Sequence, residues 1–272
     1  MASRVSAASQ FAVYGPTFLD VVMGPLDGPP VPGREAWVEG ALMCAGGAAN
    51  QAIALARLGS PVRLHSRVGV DQMGQFVDKM LAREGVDTSS CERVGDQNVT
   101  VSLSFDGDRA MTTRGTTVLP RLGGDAPACL LADVRGIGGN TEIVSSWREH
   151  GTWVLADTAW DEAGAWDEAD LESLRLADVC TPNEEEALAY ARTESVEDAA
   201  RWFASFGCDC VVTCGKNGAV ACVDGQILHV PAPAVNAVDT TGAGDVFSAA
   251  LAWAHRARRM PWPEALALAC AA

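Results

Sequence analysis

The residues best suited to chemistry stand in one run, Asp239-Thr240-Thr241-Gly242-Ala243-Gly244-Asp245. Val246, Phe247, Ala250, Leu251 and Ala254 follow at helical spacing, so a helix is predicted to start inside the run. Two glycines at a helix start lower its propensity, which makes sense where bare backbone must approach a ligand closely. The first amides of a helix have no internal partner and lie at the positive end of its dipole. Gly242, Ala243 and Gly244 therefore form a candidate anion cradle. Asp245 sets a carboxylate beside it. A plain phosphate binder gains nothing from that neighbour, because like charges repel. A phosphoryl-transfer enzyme gains a group that orients and deprotonates the attacking hydroxyl while the cradle holds the transferring phosphoryl. The bland alternative is a capped helix, with Asp239 or Thr241 as N-cap and Asp245 favouring the dipole. Seven such residues in a row argue for the chemistry.

Five other stretches carry polar or glycine signals. Cys44-Ala45-Gly46-Gly47-Ala48-Ala49-Asn50-Gln51 precedes a helix with Ile53, Ala54, Leu55 and Leu58, stopped by Gly59. No lysine follows its glycines, so it is not a P-loop, and Asn50 taken alone is a helix-start residue. Pro182-Asn183-Glu184-Glu185-Glu186 places three acids where they satisfy a helix dipole. Val211 to Gly218 is a strand running into a Gly-bounded turn, with Gly218 suited to positive φ. Gly215-Lys216 lacks the upstream glycine and following hydroxyl of a Walker motif. Asp20 interrupts the apolar strand Phe18 to Met23, a costly charge unless it finds partners or reaches solvent. Gly136-x-Gly138-x-x-Thr141 lacks the third glycine of a dinucleotide turn and is expected to be a loop.

Asp-Thr-Thr-Gly-Ala-Gly-Asp at 239–245 resembles the C-terminal signature of the ribokinase-like carbohydrate kinases, the PfkB family. Gly46-Gly47-x-x-Asn50-Gln51-Ala52 resembles the N-terminal signature of the same family, and the two motifs stand in the family's order. The resemblance implies an ATP-dependent sugar kinase that transfers the γ-phosphoryl group to a primary hydroxyl. It makes Asp245 the base and the Gly242, Ala243 and Gly244 amides the stabilisers of transferring charge. It assigns the sugar to Asp20, Gly46, Gly47 and Asn50. Asn183 and Glu186 match the family's Asn-x-x-Glu near Mg²⁺, with contact through water. Thr213, Gly215 and Gly218 match its Thr-x-Gly-x-x-Gly nucleotide segment, and Asp239 and Thr241 fall where K⁺ is held. Lys216 is either a surface charge or a phosphate contact.

The chain also departs from that pattern. Ribokinases usually carry Lys at the position of Gly47 and Asn at that of Phe18, and losing two polar groups changes which hydroxyls are recognised. Ribose, ketohexoses, 2-keto-3-deoxy sugar acids and nucleosides all remain candidates. A nucleoside kinase would need an aromatic ring near the lid, from Phe18 or Trp37. A non-catalytic sugar-binding relative is the alternative outside the enzyme class. The family's C-terminal strand and last helix are absent after residue 272.

The expected fold is α/β: a central, mostly parallel sheet flanked by helices, with a small β-sheet lid. Strands are predicted at Phe11–Tyr14, Val62–Val68, Val134–Ile137, Trp153–Asp157 and Asp178–Thr181. Helices are predicted at Asp71–Glu84, with Phe76, Val77, Met80 and Leu81 inward, at Ile143–His150 and at Leu171–Leu176. Alternation of strands and helices implies a parallel sheet with the site at the strand C-terminal ends. Val21-Val22, Trp37-Val38 and the half-exposed strand Val99–Phe105 suit the lid, drawn from about 18–45 and 97–120 of a single domain spanning 1–272. An apolar lid face predicts a homodimer. Arg109 and Arg114 are expected to be solvated strand charges.

Composition agrees. A chain of 272 residues, 48% hydrophobic and 20% charged, builds one large core plus a small lid. A net charge of −15 argues against nucleic acid and anionic membrane as partners. The first ten residues lack an apolar signal core and no run is long enough to cross a bilayer, so a cytoplasmic protein is predicted. Nine cysteines, an odd number without zinc spacing, fit reduced thiols, and Cys208, Cys210 and Cys214 fit core positions. None of the four isolated histidines is given a catalytic role.

Overall fold

A computed structural model describes residues 11–105, 108–158, 161, 163–235 and 240–272. Its centre is an eight-stranded sheet. In chain order the strands are β1 (Phe11–Tyr14), β4 (Val62–His65), β9 (Cys129–Asp133), β10 (Trp153–Asp157), β11 (Val179–Cys180), β12 (Asp209–Thr213), β13 (Ala219–Val223) and β14 (Gln226–Val230). Their spatial order is β14-β13-β12-β11-β10-β9-β1-β4. The six strands from β12 to β4 are parallel, and β13 and β14 add antiparallel at one edge. The parallel strands are short apolar runs such as Phe-Ala-Val-Tyr and Cys-Leu-Leu-Ala, buried on both faces. Each fully buried leucine, Leu131 and Leu155 among them, stabilises the fold by about 1.5–3 kcal/mol.

Helices cover both faces. One core gathers α1 (Ala48–Arg57), α2 (Gln72–Arg83), α7 (Ala243–Ala252) and α8 (Trp262–Ala271). The other gathers α3 (Val134–Gly138), α4 (Thr141–Glu149), α5 (Glu184–Ala191) and α6 (Val196–Ala204). Cys208, Cys210 and Cys214 are buried in this second core, and all nine cysteines are free thiols. Strand order turns back at β1, which sits between β9 and β4. Such a switch point opens a crevice at the carboxyl ends of the strands.

A separate four-stranded sheet rises from that crevice: β2 (Thr17–Leu26), β3 (Gly40–Gly47), β7 (Asn98–Phe105) and β8 (Asp108–Arg114), in the order β3-β2-β7-β8. Its register puts Asp20, Cys44, Thr100 and Thr113 in one row, on one face. The next row, on the opposite face, is Val21, Met43, Val101 and Thr112. A two-stranded piece, β5 (Arg67–Val68) with β6 (Glu92–Arg93), completes the strands among the described residues.

Several expectations are corrected. Val134–Ile137 is helix α3, and the strand is the preceding Cys129–Asp133. The Asp133 carboxylate caps the helix by accepting from the Gly136 amide, which ends the strand earlier than the β-branched residues suggest. Gly136 and Gly138 therefore lie in that helix and not in a loop. Trp37-Val38 lies in the connection before β3, where Trp37 is 88% exposed, and β8 supplies the fourth lid-like strand. Phe76 faces solvent, while Val77 and Leu81 face the core. The strand at Val62 breaks at Ser66, whose hydroxyl donates to the Gly15 carbonyl. Leu171–Leu176 belongs to a 3₁₀ helix over Glu168–Leu176.

Candidate active site

The two glycine-rich motifs meet at the carboxyl end of the large sheet. Gly47 is the residue before α1 and has φ of 63°, which favours glycine. A Cβ there would run into the Pro16 carbonyl and come within 2.8 Å of the Phe18 ring. A Cβ on Gly46 would occupy the place of the Asp20 carboxylate. The paired glycines thus let β3 lie flush against the side chains of β2. Asp20 is buried, hydrogen-bonded to Thr100, and its carboxyl is held above the usual carboxylate range by burial.

Asn50, on the first turn of α1, reaches across to the first turn of α7. Its Nδ2 donates to Asp245 Oδ2 at 3.0 Å, and Gln51 Nε2 donates to Oδ1 at 3.3 Å. Burial pushes Asp245 up to about 6; the two amides pull it down, and the Asp20 charge pushes it up. Gly242 begins α7 with φ of 76°, and a Cβ on it would stand 3.0 Å from Asn50 Nδ2. The phosphate-type loop therefore closes directly over Asn50.

Of the cradle amides, Ala243 N–H donates to the Thr240 carbonyl at 3.1 Å. The first intrahelical bond runs from Val246 N–H to Gly242 C=O, so helix geometry gives Gly244 and Asp245 N–H no partner inside α7. Arg109 of β8 departs from a merely solvated role: its Nη1 donates to Thr240 Oγ1 at 3.1 Å, linking the small sheet to the loop. Arg114 pairs instead with Asp96, both exposed. Asp239 falls outside the described residues.

Thr213, Gly215 and Gly218 line a cavity of about 380 Å³ together with Thr241, Gly242, Ala243 and Gly244, floored by Ala269 and Cys270 of α8. Gly218 has φ of 92°, and a Cβ there would meet the Val230 carbonyl. A larger depression of about 880 Å³, beside Arg121 and the start of α4, contains none of these residues.

Asn183 and Glu186 form a capping box. Asn183 Oδ1 accepts from Glu186 N–H at 2.9 Å, and Glu186 Oε2 accepts from Asn183 N–H at 3.1 Å and from Thr158 Oγ1 at 2.6 Å. An isolated parallel bridge joins Asn183 to Thr213, which ties this box to the cavity. Asp157, at the end of β10, carries no sequence signal beyond its place as a strand terminus. Burial raises its carboxyl well above the usual range, and the charges of Glu186 and Asp245 raise it further. Among the described residues no group of three His, Cys, Asp or Glu side chains is placed to hold a metal ion directly, which fits contact with a cation through water better than direct ligation at Asn183 and Glu186. Their all-oxygen donors suit Mg²⁺, which keeps several waters. Gln51, inside the N-terminal motif, likewise carries no local signal of a role in the site.

Comparison with known proteins agrees with this geometry. The family model described as pfkB family carbohydrate kinase matches residues 39–116 and 140–272. An aminoimidazole riboside kinase from Salmonella typhimurium is 29% identical over 251 residues, covering 83% of this chain and 77% of that protein. A fructokinase from Klebsiella pneumoniae is 34% identical over 236 residues, covering 77% of this chain and 76% of its own. A solved structure of a putative ribokinase from Agrobacterium tumefaciens superposes with a TM-score of 0.85 at 22% identity, covering 97% of this chain and 89% of that one. The α/β fold with a separate small sheet is thus the ribokinase-like fold, and this chain belongs to the pfkB family of carbohydrate kinases, phosphotransferases that act on an alcohol group.

Proposed function

We propose that the protein transfers the γ-phosphoryl group of ATP to a primary hydroxyl of a small carbohydrate, with Asp245 as the base. The observation that supports this most is the meeting of Asn50 and Asp245, because it joins the sugar-side motif to the phosphate-side motif at hydrogen-bond distance. A carboxylate near pKa 6 is mostly ionised at neutral pH and still a better base than an ordinary one. Asp20, Asn50 and the flush backbone at Gly46 and Gly47 hold the sugar hydroxyls. The acceptor hydroxyl gives its proton to Asp245 as its oxygen bonds to phosphorus. The bond from the γ-phosphorus to the bridging oxygen breaks, and ADP leaves with that electron pair. The Gly242, Ala243 and Gly244 amides face the charge on the transferring group, with Ala243 released from Thr240 to do so.

The cavity beside Thr213, Gly215 and Gly218 takes the nucleotide. Glu186, fixed by Asn183, would hold Mg²⁺ through water, and the ion would supply neutralisation of phosphate charge. A K⁺ site at Asp239 and Thr241 completes the reading and rests on motif resemblance. The substrate class is a furanose or ketohexose, or a nucleoside. The nucleoside reading draws support from the half-buried Phe18 ring lying against Gly47, where a flat base would stack, and from the likeness to an aminoimidazole riboside kinase. Trp37, exposed in its connection, contributes no such ring. Partners are ATP and a small molecule, with neither nucleic acid nor membrane, in the cytoplasm. Among the described residues no helix is long and apolar enough to cross a membrane. A homodimer forms through the outer row of the small sheet, where Met43 and Val101 are exposed. Light scattering should give twice the monomer mass, and substituting Val101→Lys should return the monomer.

A phosphotransfer screen over sugars and nucleosides with ATP and Mg²⁺ identifies the acceptor, and two variants test the roles. Asp245→Asn keeps the size and cannot take the proton, so kcat should fall about a hundred- to ten-thousand-fold with little change in KM for sugar. Asp20→Asn should mainly raise KM. An Asp245→Asn enzyme with kcat within about twofold of the parent would show that another group is the base.

A further inference from the structure

We infer that Gln51 is a positioning residue for Asp245: its side-chain amide fixes the carboxylate plane so that one oxygen lone pair is left aimed at the acceptor hydroxyl. This rests on the reading of Asp245 as the base. Gln51 is buried on the first turn of α1, 7% exposed, in the heart of the α1–α7 contact. A long amide side chain in such a place is costly unless its polar end is satisfied. It ends on Asp245 Oδ1, while the neighbouring Asn50 ends on Oδ2. Adjacent helix residues point about 100° apart, yet both amides reach one carboxylate, the longer Gln side chain ending on the second oxygen.

Two donors on two oxygens do what one cannot. Asn50 alone leaves the carboxyl group free to swing about its Cβ–Cγ bond. The second bond stops that rotation, which matters because a base must meet the hydroxyl proton within hydrogen-bond reach and in line. The amides also stabilise the ionised form against the groups that oppose it. The charged side chains facing Asp245 are Asp20 from β2 and Asp157 from β10. From α1 come the two amides, and α8 brings Cys270 to the adjoining cavity. Gln51 thus offsets two like charges without adding a positive one, which would hold the carboxylate too acidic to act as a base.

The test is the pH dependence of kcat in Gln51→Met, which keeps length and near-equal volume and loses the donor. Its acid limb should move up by about one pH unit. Its kcat at neutral pH should drop about tenfold, while KM for sugar stays within about twofold. Gln51→Glu is the second variant. It places a carboxylate beside Asp245, the pair shares a proton, and the limb should move further than in Gln51→Met. Circular dichroism and Tm check that each variant is folded. An unmoved limb in either folded variant overturns the inference, as does a rise in KM alone, which would make Gln51 a sugar ligand. The two levels of the argument fail differently. If Asp245→Asn retains kcat, the base assignment falls and Gln51 falls with it. If Asp245→Asn is inactive and Gln51→Met is normal, only Gln51 falls.

Discussion

Two kinds of helix start stand apart in this molecule, and the contrast separates architecture from chemistry. At the starts of α2, α3, α5 and α6, the side chains of Asp71, Asp133, Asn183 and Ser195 accept from an amide of the first turn. Those helices spend their N-terminal hydrogen-bonding capacity on themselves. At α1 and α7 the residue before the helix is a glycine at positive φ, Gly47 or Gly242, with no side-chain bond to the first turn. These two starts face one another across Asp245. Self-capped helices hold the sheet together; glycine-led helices leave amides and dipole ends turned toward the site. α5 stands between the kinds, since its capping box also places Glu186 beside the acid group at Asp157.

Substituting across that divide should break the two kinds in opposite ways. Among substitutions at the helix starts themselves, the largest effect is expected from Gly242→Ala. Alanine is strained at φ of 76° and its Cβ crowds Asn50 Nδ2. The loop must back away from the sugar-side helix, and kcat should fall about a hundredfold, the scale of losing an oxyanion donor. Tm should drop too, by the equivalent of about 1–3 kcal/mol. Gly242→Ala with full kcat would make the glycine start a detail of backbone geometry alone.

A middle-sized effect comes from pH. With Asp245 near 6, kcat should decline as pH falls through that value. Stability should run the other way. The folded-state pKa lies above the usual 3.8, so the folded protein binds this proton more tightly. The contribution is fully present below about pH 4 and is lost as pH rises through about 6. Asp245→Asn should therefore raise Tm at neutral pH even as it lowers kcat. Equal Tm for both proteins at pH 5 and pH 8 would contradict the linkage.

The smallest effect belongs to a self-capped start. Asp71 accepts from Gly74 N–H at 2.8 Å, far from Asp245 in function. Asp71→Ala should cost about 1 kcal/mol in chemical denaturation and leave kcat within about twofold. A large kcat loss here would erase the distinction between the two kinds of helix.

The motif residues were readable from the chain because their types are costly where they stand. Glycines at a helix start and an Asp in an apolar strand lower stability unless something requires them. Gly46, Gly47, Gly242 and Asp20 stand out that way, and resemblance links them and gives Asn50 its role. Residues that satisfy local rules were harder to read. Asp157 looks like any strand terminus, and only the fold brings it toward Glu186 and Asp245. Gln51 is a good helix former, so nothing in its local setting singled it out. The strand expected at Val134–Ile137 failed for a related reason. Its β-branched residues favour a strand, and one capping carboxylate at Asp133 decided otherwise. Trp37-Val38 shows the limit of composition, since a strand needs a neighbour to pair with and Gly40–Gly47 took that place beside β2.

The bond from Asn50 to Asp245 joins residues 195 apart in sequence. During synthesis, the sugar-side residues emerge early and the base emerges late. Contacts of such separation form only after the intervening strands have closed the sheet, since loop closure must be met before the contact rewards it. On the proposed assignment, a nascent chain that has completed β1 to β12 would own the acceptor cradle and lack the base. Phosphoryl transfer would then be withheld until the final helices dock, so that a partly made chain could not phosphorylate whatever it binds.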